Sequence, residues 1–157
     1  MQDISLRING TIHRLSVNTN WTLNDVLRNH LDLTGTKRAC DYGGCGSCTV
    51  LMDGVDVYSC SILAVEAQAK DIQTIEGLGN GENPHPLQTS FALSYAAQCG
   101  WCTPGMIMSA KALLDGNLNP SEAEVRAALS GVLCRCTGYA SIVQAVLDAA
   151  RVMRGDA

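Results

Sequence analysis

Eight cysteines in two separated groups constrain this chain more than any other feature. Cys40, Cys45, Cys48 and Cys60 read C-x4-C-x2-C-x11-C. Cys99, Cys102, Cys134 and Cys136 read C-x2-C-x31-C-x-C. A disulfide framework needs an oxidising compartment. The segment from Met1 carries no basic stretch followed by an apolar one, so no export signal is expected. Cys134 and Cys136, one residue apart, also suit separate bridges poorly. Metal ligation is the leading use, with zinc and iron–sulfur as the candidates.

The spacing favours iron–sulfur. Structural zinc sites use two C-x2–4-C pairs, a pattern the second group can imitate. The first group instead supplies three thiols from the nine residues Cys40-Asp41-Tyr42-Gly43-Gly44-Cys45-Gly46-Ser47-Cys48. That is the plant-type 2Fe–2S spacing, in which a loop wraps the cluster and a distant cysteine closes it. The loop glycines allow tight turning and let backbone amides approach the sulfurs. A surface turn would also use glycines, but it would not need three thiols.

The hydrophobic pattern divides the chain. Ile4, Leu6 and Ile8 alternate as in a half-buried strand, Asn9-Gly10 is a hairpin signal, and Thr11 to Val17 returns. Thr22 caps a helix to about Leu31, with Leu23, Val26 and Leu27 inward. Thr49 to Met52 and Val55 to Tyr58 flank the Asp53-Gly54 turn, and Ile72 to Ile75 reads as a last strand. Residues 1–76 thus form a small α+β unit. Glycines and prolines mark 77–86 as a linker. Residues 87–157 follow a helical period.

Four amphipathic helices are expected in that second part. Pro86 opens the first, with Leu87, Phe91 and Tyr95 on one face. The second starts near Thr103-Pro104 and ends at Gly116, with Met106, Ile107 and Ala110 inward and Met108 also read as core. Ser121 and Glu124 form a capping box for the third, which Gly131 stops. Tyr139, Ile142, Val143, Val146, Leu147 and Ala150 stripe the fourth. Short helices of this kind bury their stripes only by packing as a bundle. That packing brings Cys99 and Cys102, between helices one and two, to the same end as Cys134 and Cys136, between three and four. Cys102 and Cys136 then lie near helix N-termini, which favour thiolate.

Composition narrows the function. A net charge of −4 and 4% aromatic residues argue against nucleic acid as a partner. No apolar run approaches the roughly 18 residues of a membrane span. There is no phosphate loop, nucleophile elbow or acidic dyad, so no catalytic residue is assigned. Glu122 and Glu124 read as helix-start charges. His13, His30 and His85 are scattered and read as surface or packing residues.

The strings Gln98-Cys99-Gly100-Trp101-Cys102-Thr103-Pro104-Gly105 and Leu133-Cys134-Arg135-Cys136-Thr137-Gly138-Tyr139 resemble the second-cluster motifs of the molybdenum hydroxylases, the xanthine-oxidase-like enzymes. The Cys40 to Cys48 loop with Cys60 resembles their first-cluster motif. The resemblance spans about residues 3 to 150. Two departures stand out. The eleven residues before Cys60 are fewer than single ferredoxins use, and Trp101 stands where the family commonly carries Tyr.

This resemblance implies an α+β fold: an N-terminal β-grasp 2Fe–2S ferredoxin-like domain followed by a C-terminal four-helix-bundle 2Fe–2S domain. It implies a small subunit, not catalytic alone, in a heteromeric complex. A large partner holds the molybdenum pterin cofactor, and a medium FAD-binding subunit or a cytochrome accepts electrons. Electrons pass first through the cluster on Cys99, Cys102, Cys134 and Cys136, then through that on Cys40, Cys45, Cys48 and Cys60. Gln98 matches the residue that contacts the pterin, although as bare sequence it reads as a polar helix-end residue. A cytoplasmic location is expected. The alternatives are a free-standing two-cluster carrier and a zinc-stabilised interaction protein.

Overall fold

In the computed structural model, which describes residues 1–156, alternation along the first strand sets the first layer. β1 (Gln2–Ile8) buries Ile4, Leu6 and Ile8 and exposes the residues between them. It pairs antiparallel with β2 (Thr11–Val17), from Gln2 opposite Val17 to Ile8 opposite Thr11. Asn9 and Gly10 both take positive φ at this turn, as the twist of a two-residue hairpin requires. Asp53 and Gly54 repeat the arrangement between β3 (Thr49–Met52) and β4 (Val55–Tyr58). β5 (Asp71–Gln73) lies between the hairpins, parallel to β1 and antiparallel to β3. The sheet order is β2-β1-β5-β3-β4.

α1 (Leu23–His30) packs Leu23, Val26 and Leu27 against this sheet, completing a β-grasp. Its start is a full capping box. The Thr22 hydroxyl accepts from the Asp25 amide, and the Asp25 carboxylate accepts from the Thr22 amide. The last strand is shorter than its apolar residues suggest. It ends at Gln73 because the Asn9 side chain takes over the Thr74 amide at 2.9 Å, and a 3-10 turn follows at Ile75–Gly77.

The second unit has four helices: α2 (Pro86–Leu93), α3 (Thr103–Gly116), α4 (Glu122–Leu129) and α5 (Ala140–Arg154). The expected box of Ser121 and Glu124 starts α4, which ends at Leu129, before Gly131. Ile142, Val143, Val146 and Ala150 are buried on α5, and Met106 and Met108 on α3. Tyr95 departs from its expected stripe. α2 stops at Leu93, Tyr95 enters the left-handed region, and its side chain is 86% exposed. Ala96 is buried instead, its amide donating to the Phe91 carbonyl at 2.9 Å. His85 is not a passive linker residue. Its Nδ1 accepts from the Leu87 amide at 3.2 Å and caps α2.

The two units share β3. Successive side chains on a strand point to opposite faces. Val50 enters the sheet–α1 core, and Leu51 enters the helical core with Met106 and Ile142. Leu78 also joins the helical core. Ser109 on α3 donates to the Asp56 carboxylate of β4 at 3.0 Å.

Candidate metal centres

All eight cysteines are free thiols. The Cys40–Cys48 loop bulges from the sheet before β3, and Cys60 follows β4 in the 3-10 turn Ser59–Ser61. In the bundle, Cys102 is the N-cap of α3, and Cys134 and Cys136 lie in the loop before α5. Of the two cysteines expected at helix N-termini, Cys102 is there. Cys136 precedes the α5 cap, Tyr139, by three residues.

Within each quartet the thiols come in pairs. Cys99 and Cys136 place their sulfurs 3.6 Å apart, and Cys102 adjoins Cys134. Cys40 adjoins Cys45, and Cys48 adjoins Cys60. Bonds of about 2.3 Å to one tetrahedral metal set two thiolates about 3.8 Å apart. The Cys99–Cys136 spacing therefore suits one metal atom, and the other three pairs are neighbours in the same way. Among the described residues, no three Cys, His, Asp or Glu side chains converge tightly enough to hold a single ion. Two pairs per quartet fit a two-iron cluster, with two thiols for each iron.

The surroundings agree with that fit. The amide of Gly44 donates to the Cys40 sulfur at 3.3 Å. The Thr137 amide donates to the Cys134 sulfur at 3.4 Å, and the Thr137 hydroxyl lies 3.1 Å from it. Such bonds stabilise thiolate charge and tune a cluster. Backbone amides of Tyr42 and Gly44 bring the Cys40 thiol down to about 7. Burial pushes Cys48 up to about 12, and burial beside Cys134 pushes Cys102 up to about 12. For Cys134 burial acts upward, but the Thr137 hydroxyl and amide hold it below the usual thiol range. Buried thiols of this kind ionise once a bound metal supplies positive charge.

Tyr139 shows a role that its place in an apolar stripe conceals. Its hydroxyl oxygen accepts from the Cys134 amide at 2.7 Å. Its φ of 71° is a conformation that non-glycine residues rarely adopt. The ring thus turns back over the ligand loop before α5 begins.

The quartets meet at Cys45. A pocket of about 210 Å³ is lined by Cys99, Cys102, Cys134 and Cys136, and Cys45 of the other quartet reaches the same wall. The amide of Leu133, next to Cys134, donates to the Cys45 carbonyl at 2.9 Å. This approach needs bare backbone. A Cβ on Gly46 would lie 2.2 Å from the Gly131 carbonyl oxygen, so any larger residue would push the loops apart. In the first quartet Cys48 and Cys60 are buried; in the second Cys99 and Cys136 are exposed. Gln98 is exposed beside Cys99. His13 lies on β2, and His30 stacks on Trp21 with ring centroids 4.2 Å apart. Neither joins a thiol group.

Comparison with known proteins matches this geometry. Residues 6–76 match a 2Fe-2S iron-sulfur cluster binding domain, and residues 74–147 match a 2Fe-2S binding domain. The chain is 49% identical over 147 residues to the nicotine 6-hydroxylase small subunit of Paenarthrobacter nicotinovorans, covering 94% of this chain and 88% of that one. The structure of quinoline 2-oxidoreductase from Pseudomonas putida 86 superposes with a TM-score of 0.92 at 46% identity, covering 99% of this chain and 98% of that one. Aldehyde oxidoreductase from Desulfovibrio desulfuricans gives 0.95 at 46% identity, covering 99% of this chain and 18% of that longer chain.

The chain belongs to the family of iron–sulfur small subunits of the molybdenum hydroxylases. In such a complex its part is electron transfer, and the molybdenum and flavin groups sit on partner subunits. Among the described residues, no helix is long and apolar enough to cross a membrane.

Proposed function

We propose that Cys40, Cys45, Cys48 and Cys60 hold one 2Fe–2S cluster and that Cys99, Cys102, Cys134 and Cys136 hold another. We divide the chain accordingly into residues 1–76, a linker at 77–86 and residues 87–157. When bound, such clusters supply one-electron redox chemistry without large rearrangement. The observation that carries the reading is the meeting of two paired-thiol quartets through one backbone hydrogen bond, from the Leu133 amide to the Cys45 carbonyl at 2.9 Å.

Exposure supports a direction. Cys99 and Cys136 are open to a partner, and we assign Gln98, exposed beside them, to the pterin of the molybdenum subunit. Electrons enter on that side. They leave by the first quartet, where Cys40 is more open than Cys48 or Cys60, towards FAD or another acceptor on a partner. The cytoplasm is the working location that we assign.

The test is iron per chain and EPR of the dithionite-reduced complex. About four irons and two distinct 2Fe–2S signals are expected. Two irons with one signal, or zinc with none, would defeat the reading.

A further inference from the structure

We propose that Tyr58 is a positioning residue for electron transfer between the quartets: its hydroxyl fixes the 131–133 segment so that the Leu133 amide stays bonded to the Cys45 carbonyl. The proposal rests on the two-cluster reading above.

Tyr58 is the last residue of β4, two positions before Cys60. Its hydroxyl donates to the Gly131 carbonyl at 2.7 Å, across 73 residues of sequence. A Cβ built on Gly43 would lie 3.9 Å from the Tyr58 ring, so the ring borders the first-quartet loop. The ring therefore lies against one ligand loop while the hydroxyl grips the segment that leads into the other.

The Gly131 segment is held from two sides. Gly46 of the first loop closes on the same carbonyl, with no room for a Cβ. A Cβ on Gly131 itself would lie 2.4 Å from the Tyr58 hydroxyl but 3.6 Å from its ring carbon Cζ. Two residues on, Leu133 makes the bond to Cys45, and Cys134 follows directly. A segment of three residues cannot shift at Gly131 without disturbing that bond. Neither Cys45 nor Leu133 contributes a side chain to it, so its geometry must be set by neighbours. Tyr58 sets it from the Gly131 side, as the Tyr139 hydroxyl holds the Cys134 amide on the other.

The step served is the transfer of one electron from the second quartet to the first. No bond is made or broken and no proton moves on Tyr58. The electron comes from the partner's molybdenum centre and goes to the oxidant on the acceptor subunit. Tyr58 touches neither and acts only through the position of Leu133.

The test uses the whole complex purified with its partners. Wild-type complex is examined first for iron and for the spin–spin interaction between its two reduced centres. Fewer than two centres per chain would defeat the two-cluster reading before any variant is made. Tyr58→Phe keeps the ring and removes the hydroxyl. It is expected to retain iron and both signals, to show a weaker spin–spin splitting, and to slow rapid-mixing electron arrival at the first quartet severalfold. Full iron with wild-type splitting and rate would overturn the proposal.

A second variant covers loss of iron in Tyr58→Phe. In Tyr58→Phe/Gly131→Ala the added methyl occupies the space that the hydroxyl leaves. The double variant is expected to regain iron while transfer stays slow. Iron loss that it does not repair would make Tyr58 a support of the first quartet, and would equally overturn the proposal.

Discussion

The amide of Leu133 and the carbonyl of Cys45 meet at 2.9 Å, and this bond joins two ligand loops that lie 88 residues apart in the chain. Around it the structure is unusually intolerant of added volume. That intolerance centres on Gly46. Gly46 has a φ of 68°, and a Cβ there would strike the Gly131 carbonyl. A left-handed backbone costs a non-glycine residue about 1–2 kcal/mol, and forced overpacking adds roughly 1–3 kcal/mol. Gly46→Ala is expected to unfold earlier by several degrees in thermal scans. A melting curve matching wild type would show that the loops are not pressed together.

The pair Tyr58 and Gly131 allows a sharper check. Gly131→Ala alone meets the hydroxyl at 2.4 Å, whereas with phenylalanine at 58 the methyl has ordinary contacts. Overpacking costs about 1–3 kcal/mol, and losing the hydroxyl bond costs about 0.5–1.5 kcal/mol. The double variant should therefore be more stable than the sum of the single effects allows. Denaturant titration of the four proteins measures the coupling, and strictly additive values would contradict the contact.

Leu51 tests the shared strand. It leaves the sheet on the side opposite Val50 and is buried in the helical core. Leu51→Ala should cost about 2–5 kcal/mol. Because the lost contacts belong to the bundle, hydrogen exchange should quicken in α3 more than in β1. Equal quickening, or quickening in β1 alone, would place Leu51 in the wrong core.

His85 gives a pH dependence of known sign. Burial, then the Lys111 charge, holds its imidazole below the ordinary histidine range, with Asp115 opposing. The neutral ring accepts from the Leu87 amide and caps α2. Protonation is therefore easier in the unfolded chain. The stabilisation is complete above the unfolded value of about 6.5 and is lost as pH falls through the lowered folded value. His85→Asn keeps a good cap without the proton. Thermal scans from about pH 8 to pH 5 should show wild type falling more steeply than His85→Asn. Parallel curves would contradict this role.

Much of this was readable before folding, for reasons that are local. Asn9-Gly10 and Asp53-Gly54 state their own turn geometry, and Ser121 with Glu124 states a helix start. The cysteine spacings state which thiols can reach one another within a loop. Other features depend on distant partners. Residues 74 and 75 look like strand, but the Asn9 side chain ends it. Tyr95 fits a four-residue repeat, yet α2 has already stopped. The contact of Tyr58 with Gly131 leaves no mark in either neighbourhood, nor does the use of Tyr139 as acceptor for the Cys134 amide.

If each quartet holds its own redox centre, EPR of quartet-specific variants of the reduced complex will separate the two signals. Cys48→Ser removes a buried thiol of the first quartet, and Cys102→Ser one of the second. Each variant should lose or alter one 2Fe–2S signal, a different one in each case, and leave the other at its wild-type g-values. Simultaneous loss of both signals in folded, partner-bound protein, or two unchanged signals in either variant, would contradict the assignment.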